Sequence, residues 1–181
     1  MKIAVYCSAN DDIAETYYEK TRELAQWMAR EGHTLVWGGG NCGLMGCLGD
    51  EMSKNGGFTE GIVPRPLVTS GRMHSCISQV VMCEGLHDRK EHLIADSDIA
   101  IALPGGIGTL DEIFTQAGSH TIGFHRKMVL LYDINGFWQT TVQLLEHLQR
   151  EKMVRGHWTD FIRVVKSLDE IADFCKNTEN K

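Results

Sequence analysis

Gly105, Gly106 and Gly108, followed at once by Thr109 and Glu112, set an open backbone beside a carboxylate in one short stretch. Glycine lets another molecule approach the main chain closely and permits positive φ. Thr109 with Glu112 three residues on has the S/T-x-x-E form of a capping box, which predicts a helix start. Free N–H groups and the positive end of a helix dipole make such a start a site for an anion, most often a phosphate. A cap alone is worth about 1 kcal/mol and does no chemistry, but three glycines exceed what a cap requires. A second group, Arg89 and Lys90, stands in the first turns of a helix opened by Gly85. On a helix facing water these are unremarkable charges. Directly after a strand of a parallel sheet they stand at the carboxyl edge, where open α/β sheets bind ligands.

The elements that must position these residues follow from pattern. Apolar runs at Lys2–Cys7, Thr34–Trp37, Phe58–Val63, Ser78–Met82, Ile99–Leu103, Met128–Tyr132 and Ile162–Val165 predict strands. Between them lie helical patterns: Ile13, Tyr17, Leu24 and Met28 up to Gly32; Gly43 to about Asn55; Gly85 to about Asp96; Thr109 to about Ile122; and Phe137 to Leu148. Ser167 with Glu170 repeats the capping-box form before a last helix to about Lys176, with Asn177–Lys181 expected to fray. Pro64–Ser75 predicts a loop able to flex over a pocket. Strand and helix in alternation imply a single α/β domain over residues 1–181, a Rossmann-like doubly wound parallel sheet with helices on both faces.

Composition excludes several classes. The 181 residues carry a net charge of −6, with 43% hydrophobic and 23% charged residues, which fits a soluble globular domain and not a binder of nucleic acid. No run reaches the length of a membrane span, and Met1–Cys7 enters a strand directly, so a cytoplasmic location is expected. Six cysteines without a C-x-x-C pair predict neither a disulfide framework nor a zinc site; Cys83 and His87 lack a second ligand pair.

Gly38, Gly40 and Gly43 also satisfy G-x-G-x-x-G, with Glu60 about twenty residues past the middle glycine. The dinucleotide fingerprint follows the first strand, whereas this turn follows the second. The glycines therefore read as phosphate or ribose contacts without implying NAD.

Three stretches together resemble one family: Gly38-Gly39-Gly40-Asn41 with Gly43-Leu44-Met45-Gly46, Leu86-His87-Asp88-Arg89-Lys90, and Pro104-Gly105-Gly106-Ile107-Gly108-Thr109-Leu110-Asp111-Glu112. They look like the signatures of the Lonely Guy (LOG) family of cytokinin riboside 5′-monophosphate phosphoribohydrolases, many of which long carried the label lysine decarboxylase. The likeness runs from about Lys2 to Asn135. It implies a Rossmann-like homodimer that hydrolyses the N-glycosidic bond of an adenine-type nucleoside 5′-monophosphate, AMP or a cytokinin ribotide, to free base and ribose 5-phosphate. It implies no metal and no cofactor. By position, Arg89 and Glu112 match the catalytic pair, Gly105 to Thr109 match the phosphate loop, and Gly39, Gly40 and Lys90 line the same pocket. The lysine decarboxylase label fits poorly, since neither glycine-rich loop supplies a Schiff-base lysine.

Breaking this bond builds positive charge on the ribose. A carboxylate at Glu112 would stabilise it and orient or deprotonate the attacking water, with Arg89 holding phosphate or orienting Glu112. Asp111 would complement the helix dipole. Some positions depart from the family pattern: Ser8-Ala9-Asn10 replaces Gly-Ser-Ser, Leu86 replaces Met, Ser119-His120-Thr121-Ile122-Gly123 replaces W-A-Q-x-G, and Met128 stands where Pro is common. These departures bear on which base is preferred. Two other readings belong to different classes: a non-catalytic nucleotide-binding or cofactor-carrier protein on the same fold, and an NAD-dependent oxidoreductase built on Gly38–Gly43.

Overall fold

The computed structural model describes residues 1–179. Seven strands, β1 (Lys2–Tyr6), β2 (Thr34–Trp37), β3 (Thr59–Pro64), β4 (Gln79–Cys83), β5 (Ile99–Ala102), β6 (Val129–Tyr132) and β7 (Ile162–Val165), form one sheet in the order β4-β3-β2-β1-β5-β6-β7. All its pairings are parallel. The order runs outward from β1 to β4, returns to β5 beside β1, and runs outward again. β1 and β5 therefore flank the switch point, where two loops diverge and leave a crevice.

Helices α1 (Glu15–Arg30), α2 (Gly43–Lys54), α3 (Arg65–Thr69), α4 (Leu86–Ala95), α5 (Ile107–Thr121), α6 (Gln139–Arg150) and α7 (Leu168–Glu179) connect and follow the strands. Alternation along each strand divides the core in two. Ile3, Val5, Ile99, Ile101 and Leu130 meet Leu24, Met28, Leu48 and Ile171 on one face. Ala4, Tyr6, Ala100, Ala102, Val129 and Leu131 meet Leu93, Ile113, Ala117 and Leu145 on the other. Helices on both faces explain why these strands are apolar throughout.

Several local expectations are corrected. Thr109 does not cap α5: the helix begins at Ile107 with Gly106 at the cap position and no side-chain cap bond. Thr109 is instead buried in the first turn. None of Gly105, Gly106 and Gly108 has positive φ. The segment expected as a flexing loop contains α3 and is fastened to the glycine turn after β2. An isolated bridge pairs Gly40 with Met73, Asn41 N donates to Arg72 O at 3.0 Å, and His74 N donates to Gly39 O at 2.8 Å. Backbone groups that would otherwise lie unpaired find partners this way. α7 continues through residues 177–179, where fraying was expected, while residues 180–181 lie outside the described residues. Its cap holds: Ser167 Oγ accepts from Glu170 N at 3.2 Å, while Glu170 accepts from Lys166 N at 2.9 Å.

Candidate active site

The crevice at the switch point is a cavity of about 300 Å³. Val5 and Cys7 of β1 and its following residue form its floor, Ser8–Asn10 one wall, and Gly106, Gly108, Thr109 and Glu112 the other; Gly38, Met45 and Arg89 close it. The two walls are joined at the base, where Ser8 N donates to Pro104 O at 3.1 Å.

α5 points its amino end into this cavity. Among the described residues no side chain caps it, so the first-turn N–H groups remain available to an anion. A Cβ added at Gly106 or Gly108 would meet nothing within 4 Å, so these glycines leave the approach to the backbone open. Gly105 has a different role. A Cβ there would lie 2.1 Å from Thr109 Oγ1, so this glycine lets Thr109 pack beneath the turn.

One turn further, Glu112 meets Arg89 of α4. Arg89 Nη1 donates to Glu112 Oε1 at 3.0 Å and Nε donates to Ile62 O at 3.3 Å. The two side chains are 16% and 11% exposed, so most of the pair is withdrawn from water but still reachable from the cavity. Burial pushes the Glu112 carboxyl up to about 7, and the Arg89 charge opposes that rise without cancelling it. A carboxyl poised there exchanges a proton readily at neutral pH. Beneath it, on the same helix face, Gln116 accepts from Tyr6 Oη at 2.7 Å and donates to Met128 O at 3.3 Å, which fixes α5 against the sheet. Burial also holds the Tyr6 phenol and Cys7 thiol protonated by pushing both upward.

Gly38, read from the sequence as a phosphate or ribose contact, lines the cavity in another role. A Cβ there would fall 1.8 Å from Arg89 Nη2, so the guanidinium occupies the space a side chain would fill. The other expected contacts lie elsewhere. Lys90 Nζ donates to Asp111 at 2.9 and 3.0 Å, and it does not line the cavity. Asp111 is thus a partner of Lys90 instead of a dipole-complementing charge. Gly39 adopts φ +69°, and a Cβ there would run into the side chains of Val63 and Ile77. Gly40 lines a second, adjoining cavity.

The turn after β2 is closed. Gly43 N donates to Asp11 Oδ1 at 2.7 Å and Leu44 N to Ser8 O at 3.0 Å, so the start of α2 is spent on the chain itself and offers no phosphate site there. Glu60 of the fingerprint is buried and ion-paired with Lys2 at 2.7 Å, at the amino end of the sheet. It cannot reach a ribose at the carboxyl edge, which removes the basis of the NAD reading. Among the described residues no group of three or more His, Cys, Asp or Glu could hold a metal ion, and no helix is long and apolar enough to cross a membrane.

Fold and site together define a Rossmann-like α/β protein with an arginine–carboxylate pair beside an open helix start at the switch point. A family model described as "possible lysine decarboxylase" matches residues 45–175. The chain belongs to this family, the Lonely Guy family. It is 35% identical over 131 residues to a cytokinin riboside 5′-monophosphate phosphoribohydrolase of Mycobacterium tuberculosis, covering 72% of this chain and 70% of that one. It is 31% identical over 145 residues to one of Arabidopsis thaliana, covering 80% of this chain but spanning 64% of the relative's length. The Moco carrier protein of Chlamydomonas reinhardtii shares the fold with a TM-score of 0.76 at 20% identity, over 99% of this chain and 98% of that one.

Proposed function

We propose that this protein hydrolyses the N-glycosidic bond of a nucleoside 5′-monophosphate, releasing free base and ribose 5-phosphate, with adenine-type nucleotides as the class its relatives' names carry. The observation behind this reading is the Arg89–Glu112 pair at 3.0 Å beside the open start of α5. A phosphate seated on the N–H groups around Gly106 to Thr109 puts the ribose over Glu112. There the carboxylate offsets the positive charge that builds as the bond to the base breaks, and takes a proton from the attacking water. Arg89 holds the carboxylate in place and keeps part of its population ionised. Binding energy at the phosphate is then used to position the ribose.

The older label of the family has less support. A lysine decarboxylase of that kind would hold pyridoxal phosphate as a Schiff base with one of its lysines, and no lysine lines this cavity. A non-catalytic nucleotide or cofactor carrier would use the same crevice without needing a carboxyl raised to about 7 within it. We read the protein as cytoplasmic, consistent with a cysteine pattern that predicts no disulfide framework. We also read it as a homodimer: Leu86, Ile107, Phe114, Ile122 and Phe124 leave an apolar patch exposed along α4, α5 and the turn that follows. Sedimentation at micromolar concentration should give twice the chain mass, and a monomer would contradict the dimer.

The reaction is tested by incubating the purified protein with AMP and isopentenyladenosine monophosphate. Free base and ribose 5-phosphate are read by chromatography, with Glu112→Gln alongside. Release that is lost in the variant supports the hydrolase. Binding without release from either nucleotide supports the carrier.

A further inference from the structure

Tyr6 and Gln116 form a polar pair withdrawn from water, at 2% and 0% exposure. Tyr6 ends β1 between Val5 and Cys7, which form the cavity floor, and Gln116 lies one turn past Glu112 on the same face of α5. Gln116 Nε2 donates to Met128 O at 3.3 Å. That contact sets the orientation of the amide, so its Oε1 accepts from the Tyr6 hydroxyl at 2.7 Å. Met128 O also accepts from Ala100 N of β5 at 3.0 Å, so the chain of contacts ends on the sheet itself.

An apolar pair would fill this space without the desolvation cost of a buried hydroxyl and amide. What the polar pair adds is direction, because a hydrogen bond is sensitive to angle as well as distance. The start of α5 has no side-chain cap, and the contacts of Glu112 with Arg89 and of Asp111 with Lys90 lead to α4. Gln116 ties the helix to the strands that carry the cavity floor. Glu112 spends Oε1 on Arg89, while its Oε2 makes no hydrogen bond among the described residues and is left for water or ribose. A small rotation of α5 would turn that oxygen away and let water in around the carboxyl.

We propose that Tyr6 and Gln116 are positioning residues: their buried hydrogen bond fixes the rotation of α5 and so aims Glu112 at the ribose in a dry setting. This rests on the nucleotide hydrolysis proposed above. The charged groups that act on Glu112 are Arg89 and Lys90 of α4 and the neighbouring Asp111; Glu112 and Arg89 act in turn on the Tyr6 phenol and the Cys7 thiol. Burial is the largest cause of the rise of Glu112 to about 7, so a loosened α5 should let that value fall.

Tyr6→Phe, Gln116→Leu and the double variant are compared with the unsubstituted protein. The readouts are melting temperature, kcat and KM with AMP, and the Glu112 titration midpoint by carbon NMR of the side-chain carboxyl, assigned by its loss in Glu112→Gln. Each single variant strands a buried polar partner and should melt lower, whereas the double variant removes both partners and should regain most of the melting temperature. Its kcat should nevertheless stay about tenfold below that of the unsubstituted protein, with KM within about twofold, and its Glu112 midpoint should lie below about 7. A double variant that regains kcat and midpoint together with its melting temperature would overturn the proposal, since the pair would then serve stability alone. Should the double variant fail to fold, Tyr6→Phe, which loses a single oxygen, carries the same test: unchanged kcat and midpoint there would overturn it. If the unsubstituted protein releases no base from AMP, the hydrolase reading fails, and the midpoint, which needs no turnover, decides by itself whether the pair positions Glu112.

Discussion

The chain has two glycine-rich turns, each leaving a strand and entering a helix, and they serve opposite ends. After β2, Gly43 adopts φ +57°, and a Cβ there would lie within 2.6–2.8 Å of the backbone of Ala9 and Asn10. Its N–H and that of Leu44 are taken by Asp11 and Ser8. After β5, Gly106 and Gly108 have ordinary φ and face open space, and nothing caps the helix. Glycine in the first turn is there for packing; in the second it leaves room for another molecule. Glycine count does not separate the two, but the destination of the first helical N–H groups does.

Substitutions can break this contrast or sharpen it. The largest effect is expected at Glu112→Gln, which should fold normally and lose about two to four orders of magnitude in turnover; near-normal turnover would remove Glu112 from the reaction. Gly38→Ala comes next. Its methyl takes the place of the flexible end of Arg89, so turnover should fall by about 100-fold with little change in melting temperature. A large loss of stability with unchanged turnover would contradict the cradle.

The two turns are compared directly by one methyl each. Gly43→Ala should cost about 1–3 kcal/mol of stability in denaturant unfolding, because both its φ and its backbone neighbours oppose a side chain. Gly108→Ala should leave stability within about 0.5 kcal/mol and raise KM for the nucleotide by about tenfold. Exchanged outcomes would mean that the closed and open turns have been assigned the wrong way round.

The smallest effect is on pH dependence. Glu112, raised from 4.5 to about 7, must be ionised to act as a base, so kcat/KM should climb as pH rises through about 7 and level off above it. Stability has the opposite sign. Between pH 4.5 and 7 the folded state holds more protons at this group than the unfolded state, so its contribution declines as pH rises across that window. A profile flat from pH 5 to 9 would separate Glu112 from the rate.

Much of this was legible in local pattern. The run Ile99–Leu103, Pro104 and the glycines that follow announce strand, turn and helix within one stretch, and Arg89 after β4 falls at the carboxyl edge for the same reason. What was not legible depends on contacts far apart in sequence. Asp11 capping the start of α2 and Gly38 making room for Arg89 depend on loops that only the finished sheet brings together. Thr109 with Glu112 has the capping-box spacing, but its hydroxyl is buried against Gly105 and the helix starts two residues earlier. Pro64–Ser75 lacks periodicity because its order comes from Gly39, Gly40 and Asn41 across the crevice, which no local pattern records.

The central claim is that the open turn after β5 anchors a phosphate whose binding energy positions the ribose over Glu112. It is tested most directly by comparing AMP with adenosine under saturating conditions. The account predicts that the nucleoside loses kcat as well as affinity, by about 100-fold or more in kcat. A nucleoside turned over as fast as its 5′-monophosphate would contradict it.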